Sequence, residues 1–93
     1  MDFRRTLEMS LSREEFFRLL PAAVGPFVVD GDTIRGDANA CRWLIRLERL
    51  PDYRVGRVVV PRHRVDMLID GCSHTDAEAF LERFRRGFLR GGG

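Results

Sequence analysis

The chain has 93 residues, 44% hydrophobic and 32% charged, which excludes a disordered segment and leaves room for one domain with a modest core. Its 16 cationic residues are all arginine and face 14 acids, for a net charge of +2. That balance argues against a dedicated nucleic-acid binder, which carries clustered, unpaired positive charge. Lysine and glutamine are missing and Asn39 is the sole asparagine, so the arginine bias reads as a bacterial-type G+C-rich composition rather than as selection for bidentate recognition.

Residues 3 to 11 alternate. Phe3, Leu7, Met9 and Leu11 share one parity, broken by Arg5, and this predicts a strand with one buried face. Ser12-Arg13-Glu14-Glu15 is a Ser-x-x-Glu capping box that opens a helix carrying Phe16, Phe17, Leu19, Leu20, Ala23 and Val24. Pro21 is expected to kink or shorten this helix, and Gly25-Pro26 to stop it. Phe27-Val28-Val29 and Thr33-Ile34 flank Asp30-Gly31-Asp32, a strong hairpin signal. Gly36-Asp37-Ala38-Asn39 reads as a second turn.

The cleanest strand spans 41 to 48, with Cys41, Trp43, Ile45 and Leu47 on one face and Arg42, Leu44, Arg46 and Glu48 on the other. Leu50-Pro51-Asp52-Tyr53 reads as a turn. Val55 to Val60 is a β-branched run ended by Pro61, and Arg62 to Asp70 follows, with His63, Val65, Met67 and Ile69 in phase. A second capping box, Thr75-Asp76-Ala77-Glu78, opens a helix whose stripe is Ala77, Phe80, Leu81, Phe84 and Phe88.

The expected fold is thus α+β, with two layers: an antiparallel sheet of four to six strands backed by two helices, in the order β-α-β4(5)-α. The expected domain is 1–90, with 91–93 as a flexible glycine tail. This order is similar to that of the TATA-box-binding-protein-like and helix-grip architectures; a ferredoxin-like or other α+β sandwich is the alternative. The similarity is topological and carries no function by itself.

Several residues are candidates for chemistry. The ending Leu89-Arg90-Gly91-Gly92-Gly93 looks like the Leu-Arg-Gly-Gly tail of the ubiquitin family and, more loosely, the Gly-Gly ends of bacterial sulfur carriers. That resemblance implies activation of the terminal carboxylate, with Gly92 and Gly93 carrying it. The departures are a third glycine, a tail that leaves a helix, and a chain that opens with one strand rather than a hairpin. Cys72, ahead of the second helix, is a candidate reactive thiol, with His74 or His63 as base. A plain loop cysteine is the simpler expectation. Cys41, Cys72, His63 and His74 are zinc-type ligands at a spacing that fits no finger or ribbon, so no metal and no cofactor are expected. With no CxxC and no apolar h-region in the first residues, both cysteines are expected to be reduced, in a cytoplasmic protein. No apolar run approaches the roughly 18 residues that span a bilayer, so no membrane partner is expected.

The polar face of the sheet is the remaining candidate. Arg42, Leu44, Arg46, Arg62 and Arg64 fall opposite the Trp43 and Val65 sets, and an antiparallel sheet with helices on one side leaves the other open. Glu48, Asp66 and Asp70 share that parity and are placed for cross-strand ion pairing. A mixed apolar and cationic face of this kind marks an interaction surface. The sequence therefore points to a small non-catalytic binding domain that works by protein–protein contact or as a homodimer. The alternatives are a carrier activated at Gly93 and a weak nucleic-acid binder.

Overall fold

The structure, a computed structural model, describes residues 2–38 and 41–92. Its elements are β1 (Phe3–Met9), α1 (Arg13–Val24), β2 (Val28–Asp30), β3 (Thr33–Ala38), β4 (Cys41–Val55), β5 (Val58–Asp70) and α2 (His74–Gly92). The five strands form one antiparallel sheet in the order β1-β5-β4-β3-β2. This is an α+β fold of five strands and two helices, as the periodicities predict.

The core lies between the helices and one face of the sheet. Trp43, Ile45 and Leu47 of β4, Val65, Met67 and Ile69 of β5, and Phe3 and Ile34 supply the sheet side. Phe16, Leu20, Ala23 and Val24 of α1 and Ala77, Phe80, Leu81, Phe84 and Phe88 of α2 close over them. Each of the larger side chains among them contributes about 1.5–3 kcal/mol by leaving water, and each alanine methyl less than about 1 kcal/mol. Aromatic rings pack through the core: Phe16 of α1 stacks on Phe88 of α2 at 5.1 Å, Phe84 lies 4.7 Å from Phe88 within α2, and Trp43 of the sheet lies 5.9 Å from Phe80.

Two glycines set close approaches. At Gly87 a methyl group would lie 2.6 Å from the Ala23 Cβ and 2.7 Å from its Cα, so this position lets α1 and α2 touch at their backbones. Gly36 pairs across the sheet with Trp43, and a methyl there would lie 2.6 Å from the indole ring.

Local chemistry accounts for the helix starts. Ser12 caps α1, its hydroxyl accepting the Glu15 N–H at 3.1 Å. Ser73, not Thr75, caps α2: its hydroxyl accepts the Asp76 N–H and its carbonyl the Ala77 N–H. Glu78, freed from capping, instead meets His74 and Arg5, each at 3.4 Å. Pro21 does not end α1, which runs one turn further to Gly25, whose N–H bonds the Pro21 carbonyl.

Three readings of the middle of the chain are corrected. The Gly36–Ala38 stretch is the end of β3 rather than a turn, and Asn39 lies outside the described residues. Leu50-Pro51-Asp52-Tyr53 does not turn the chain: β4 continues through it with a register shift between Leu50 and Tyr53. A bulge absorbs the extra residue while the strand goes on. The reversal comes later, at Gly56-Arg57, inside the valine-rich run, with Gly56 at φ 59°. At Pro61, where the sequence allows either a strand boundary or an edge kink, β5 is continuous from Val58 to Asp70.

The β4–β5 hairpin consequently outgrows the sheet. β1 pairs with β5 only over His63–Ile69, and β3 pairs with β4 only over Cys41–Arg46. Residues 50–62 extend beyond as a two-stranded arm, and the molecule measures 45 × 25 × 20 Å.

Candidate interaction face

With both helices on one side, the even-numbered residues of β4 and their partners on β5 face away from the core. Cross-strand registration sorts them into rows. Arg42 stands opposite Asp70, Leu44 opposite Leu68, Arg46 opposite Asp66, Glu48 opposite Arg64, and Leu50 opposite Arg62. β1 adds Arg4 beside Leu68, Thr6 beside Asp66 and Glu8 beside Arg64. β3 adds Asp37 beside Arg42, Arg35 beside Leu44 and Thr33 beside Arg46. The five residues expected to matter on the open face, Arg42, Leu44, Arg46, Arg62 and Arg64, are thus neighbours along one ladder.

Part of the charge here is answered locally. Arg42 Nε lies 3.3 Å from Asp70, Arg64 pairs with Glu48 and reaches Asp66 at 3.6 Å, and the Thr6 hydroxyl donates to Asp66 at 2.9 Å. Among the described residues, Arg4, Arg35, Arg46 and Arg62 form no ion pair. Six arginines of this face (4, 35, 42, 46, 62 and 64) stand among six acids (Glu8, Asp30, Asp37, Glu48, Asp66 and Asp70), so the face has no net charge. Exposed pairs of this type stabilise little, about 0–1 kcal/mol each.

Apolar rows interrupt the charged ones. Leu44 is 38% exposed beside Leu68, and Val28 of β2 is 55% exposed at the end of the same row. A depression of about 420 Å³ lies here, lined by Val28, Arg35, Asp37, Arg42, Leu44 and Leu68 among others. On the arm, Tyr53 opposes Val60 and Val55 opposes Val58. Val58 and Val60 share the parity of Arg62 and Arg64 on β5, and the β4 bulge brings Tyr53 and Val55 onto that same side. Tyr53, Val55 and Val58 are more than half exposed. Parity alone puts Val58, Val60 and Leu68 on this face, but Tyr53 and Val55 were missed because Pro51-Asp52 masked the continuing strand; the Val-Gly-Arg-Val spacing was the signal available.

The other candidates are not brought together. Cys41 and Cys72 are joined in a disulfide, with Cα atoms 4.9 Å apart, which corrects the expectation of two reduced thiols. In this state Cys72 has no thiolate to offer. The bond ties the buried start of β4 to the loop ahead of α2. His63 is buried, its Nδ1–H donating to the Leu11 carbonyl at 3.0 Å, while His74 packs edge-on against Phe3 at 5.3 Å. Among the described residues, no three metal-type ligands converge. Gly92 is the last residue of α2, and Gly93, the other carrier candidate, lies outside the described residues. No described helix is long and apolar enough to cross a membrane. Comparison with protein-family models, curated proteins and solved structures yields no match to this chain.

Proposed function

We propose that the chain is a non-catalytic binding domain that acts by protein–protein contact through its open sheet face. The observation that carries this reading is apolar surface left uncovered on this face at two places: Leu68 and Leu44, with Val28 beyond Arg35 in the same row, and Tyr53, Val55 and Val58 out on the arm. Large apolar side chains exposed among polar residues are a common mark of an interaction site. The balanced charge of the face supports a protein partner over a polyanion, which would favour unpaired arginine. A two-layer β-α-β4-α order of the TATA-box-binding-protein-like or helix-grip type accommodates this use, because it presents one sheet face while the helices close the other. The disulfide favours an oxidising setting; a cytoplasmic site would require the protein to function with that bond reduced.

The test places a photo-crosslinking residue at Leu44 and, separately, at Arg18, an exposed position on α1. Illumination in the source cells should give discrete protein adducts from position 44 and none from 18. Equal adduct patterns, or none at 44, would remove the sheet face from the reading.

A further inference from the structure

We infer that the partner of this face is a second copy of the chain, paired face to face about a two-fold axis that runs along the strands between β4 and β5. The inference rests on the binding-domain reading and supplies its partner. Its basis is the composition of the rows. A rotation of 180° about such an axis exchanges β4 with β5 and sets every residue over the partner of its own row. An interface with this symmetry is isologous, so the face must complement itself.

Row by row, it does. Glu48 of one copy comes over Arg64 of the other, Arg46 over Asp66, and Arg42 over Asp70. Leu44 comes over Leu68, Tyr53 over Val60, and Val55 over Val58. Of the seven rows, three join opposite charges and three join apolar side chains. The seventh sets Arg62 over Leu50, where the long arginine stem covers the leucine while its head reaches the rim. On the flanks Arg4 meets Arg35 across the pair, a like-charge contact in solvent that confines close packing to the β4–β5 ladder.

The dimensions suit a dimer. Seven rows at about 6.7 Å per row span roughly 40 Å, in keeping with the 45 Å long axis. Two strands over that length give about 400 Å² of flat area per copy, about half the ~800 Å² of accessible surface per partner in standard-size complexes, so the pairing is expected to be reversible. Pairing through strand edges fits less well: Pro51 and Pro61, one on each strand of the arm, lack a backbone donor, and the bulge between Leu50 and Tyr53 interrupts the β4 edge. The arm is therefore suited to packing by its face.

The test exploits symmetry. Native mass of the wild type from about 1 µM to about 200 µM should show a monomer–dimer equilibrium. E48R places two cations in one row, and R64E places two acids there. Each variant alone should weaken dimerisation by at least ~10-fold, and an equal mixture should recover the dimer as a heterodimer. Recovery on mixing does not follow from a folding defect in either variant. Y53D, on the arm and outside the core, should weaken dimerisation by at least ~10-fold with the circular dichroism of the fold unchanged. A wild type that stays monomeric throughout, a mixture that stays monomeric, or a dimer indifferent to Y53D would each overturn the pairing. A monomeric wild type whose Leu44 position still crosslinks to a different protein would overturn self-pairing alone and leave the binding-domain reading standing.

Discussion

Reduction of the Cys41–Cys72 bond offers the sharpest quantitative check on the fold, because it changes no side chain of the sheet face. The two cysteines are 31 residues apart in sequence. Closing a loop of that length removes about 12 cal/mol/K from the unfolded ensemble, or about 3.7 kcal/mol at room temperature. A domain of 93 residues has a total stability of roughly 5–14 kcal/mol, so the bond supplies a large share of it. At about 4–8 °C per kcal/mol, reduction should lower Tm by some 15–30 °C. The assay is thermal unfolding followed by circular dichroism, with and without a phosphine reductant, alongside a thiol titration at each point. The reduced protein should remain folded at room temperature, since Cys41 is buried in a core made chiefly of other residues. A shift below about 3 °C with both thiols titrated would refute the loop-closure reasoning. Two free thiols in protein prepared without reductant would refute the bond itself.

Gly87→Ala should destabilise the domain by about 1–3 kcal/mol despite alanine's better helix propensity, because its methyl would strike the Ala23 backbone; chemical denaturation measures this, and a gain in stability would contradict the helix contact. Gly36→Ala should displace the Trp43 ring, costing about 1–3 kcal/mol and shifting tryptophan emission to the red, whereas an unchanged spectrum would place the indole elsewhere. Ser73→Ala should cost about 1 kcal/mol and Thr75→Ala only a few tenths, as read from denaturation midpoints; the reverse order would restore Thr75 as the cap of α2.

Elements whose sequence signal is local were legible. Alternation over 41–48 marks a strand because one face is buried and the other is wet, and the structure buries Cys41, Trp43, Ile45 and Leu47 as that period demands. Ser12 is recognisable as a cap because its hydroxyl serves an amide three residues on. Elements that depend on what lies alongside were not legible. Pro51-Asp52 and Pro61 look like breakers, yet both fall where the hairpin has outrun β1 and β3, and a missing donor is tolerated on a strand with a free edge. The disulfide was invisible for the same reason. Nothing in a 31-residue spacing says that the loop before α2 returns over the first residue of β4. For the candidate face, parity alone grouped Arg42, Leu44, Arg46, Arg62 and Arg64. The rows that decide its chemistry required the register between β4 and β5.

The arm gives that register a further consequence. A two-stranded ribbon is marginal in water unless something covers it, and this one exposes Tyr53, Val55, Val58 and Val59, none of which belongs to the core. Its residues thus contribute little to the stability of the body. Replacing residues 51–61 by Asn-Gly, so that a tight turn joins the Leu50–Arg62 pair directly, should leave Tm within a few degrees of the parent, because no core side chain is removed and the loop is shortened. Self-association should be lost in the same variant, since two of the three apolar rows go with the arm. A fall in Tm of more than about 10 °C would mean that the arm supports the fold, and the exposed valines would then need a structural explanation. An intact fold that no longer pairs would assign those side chains to the interface.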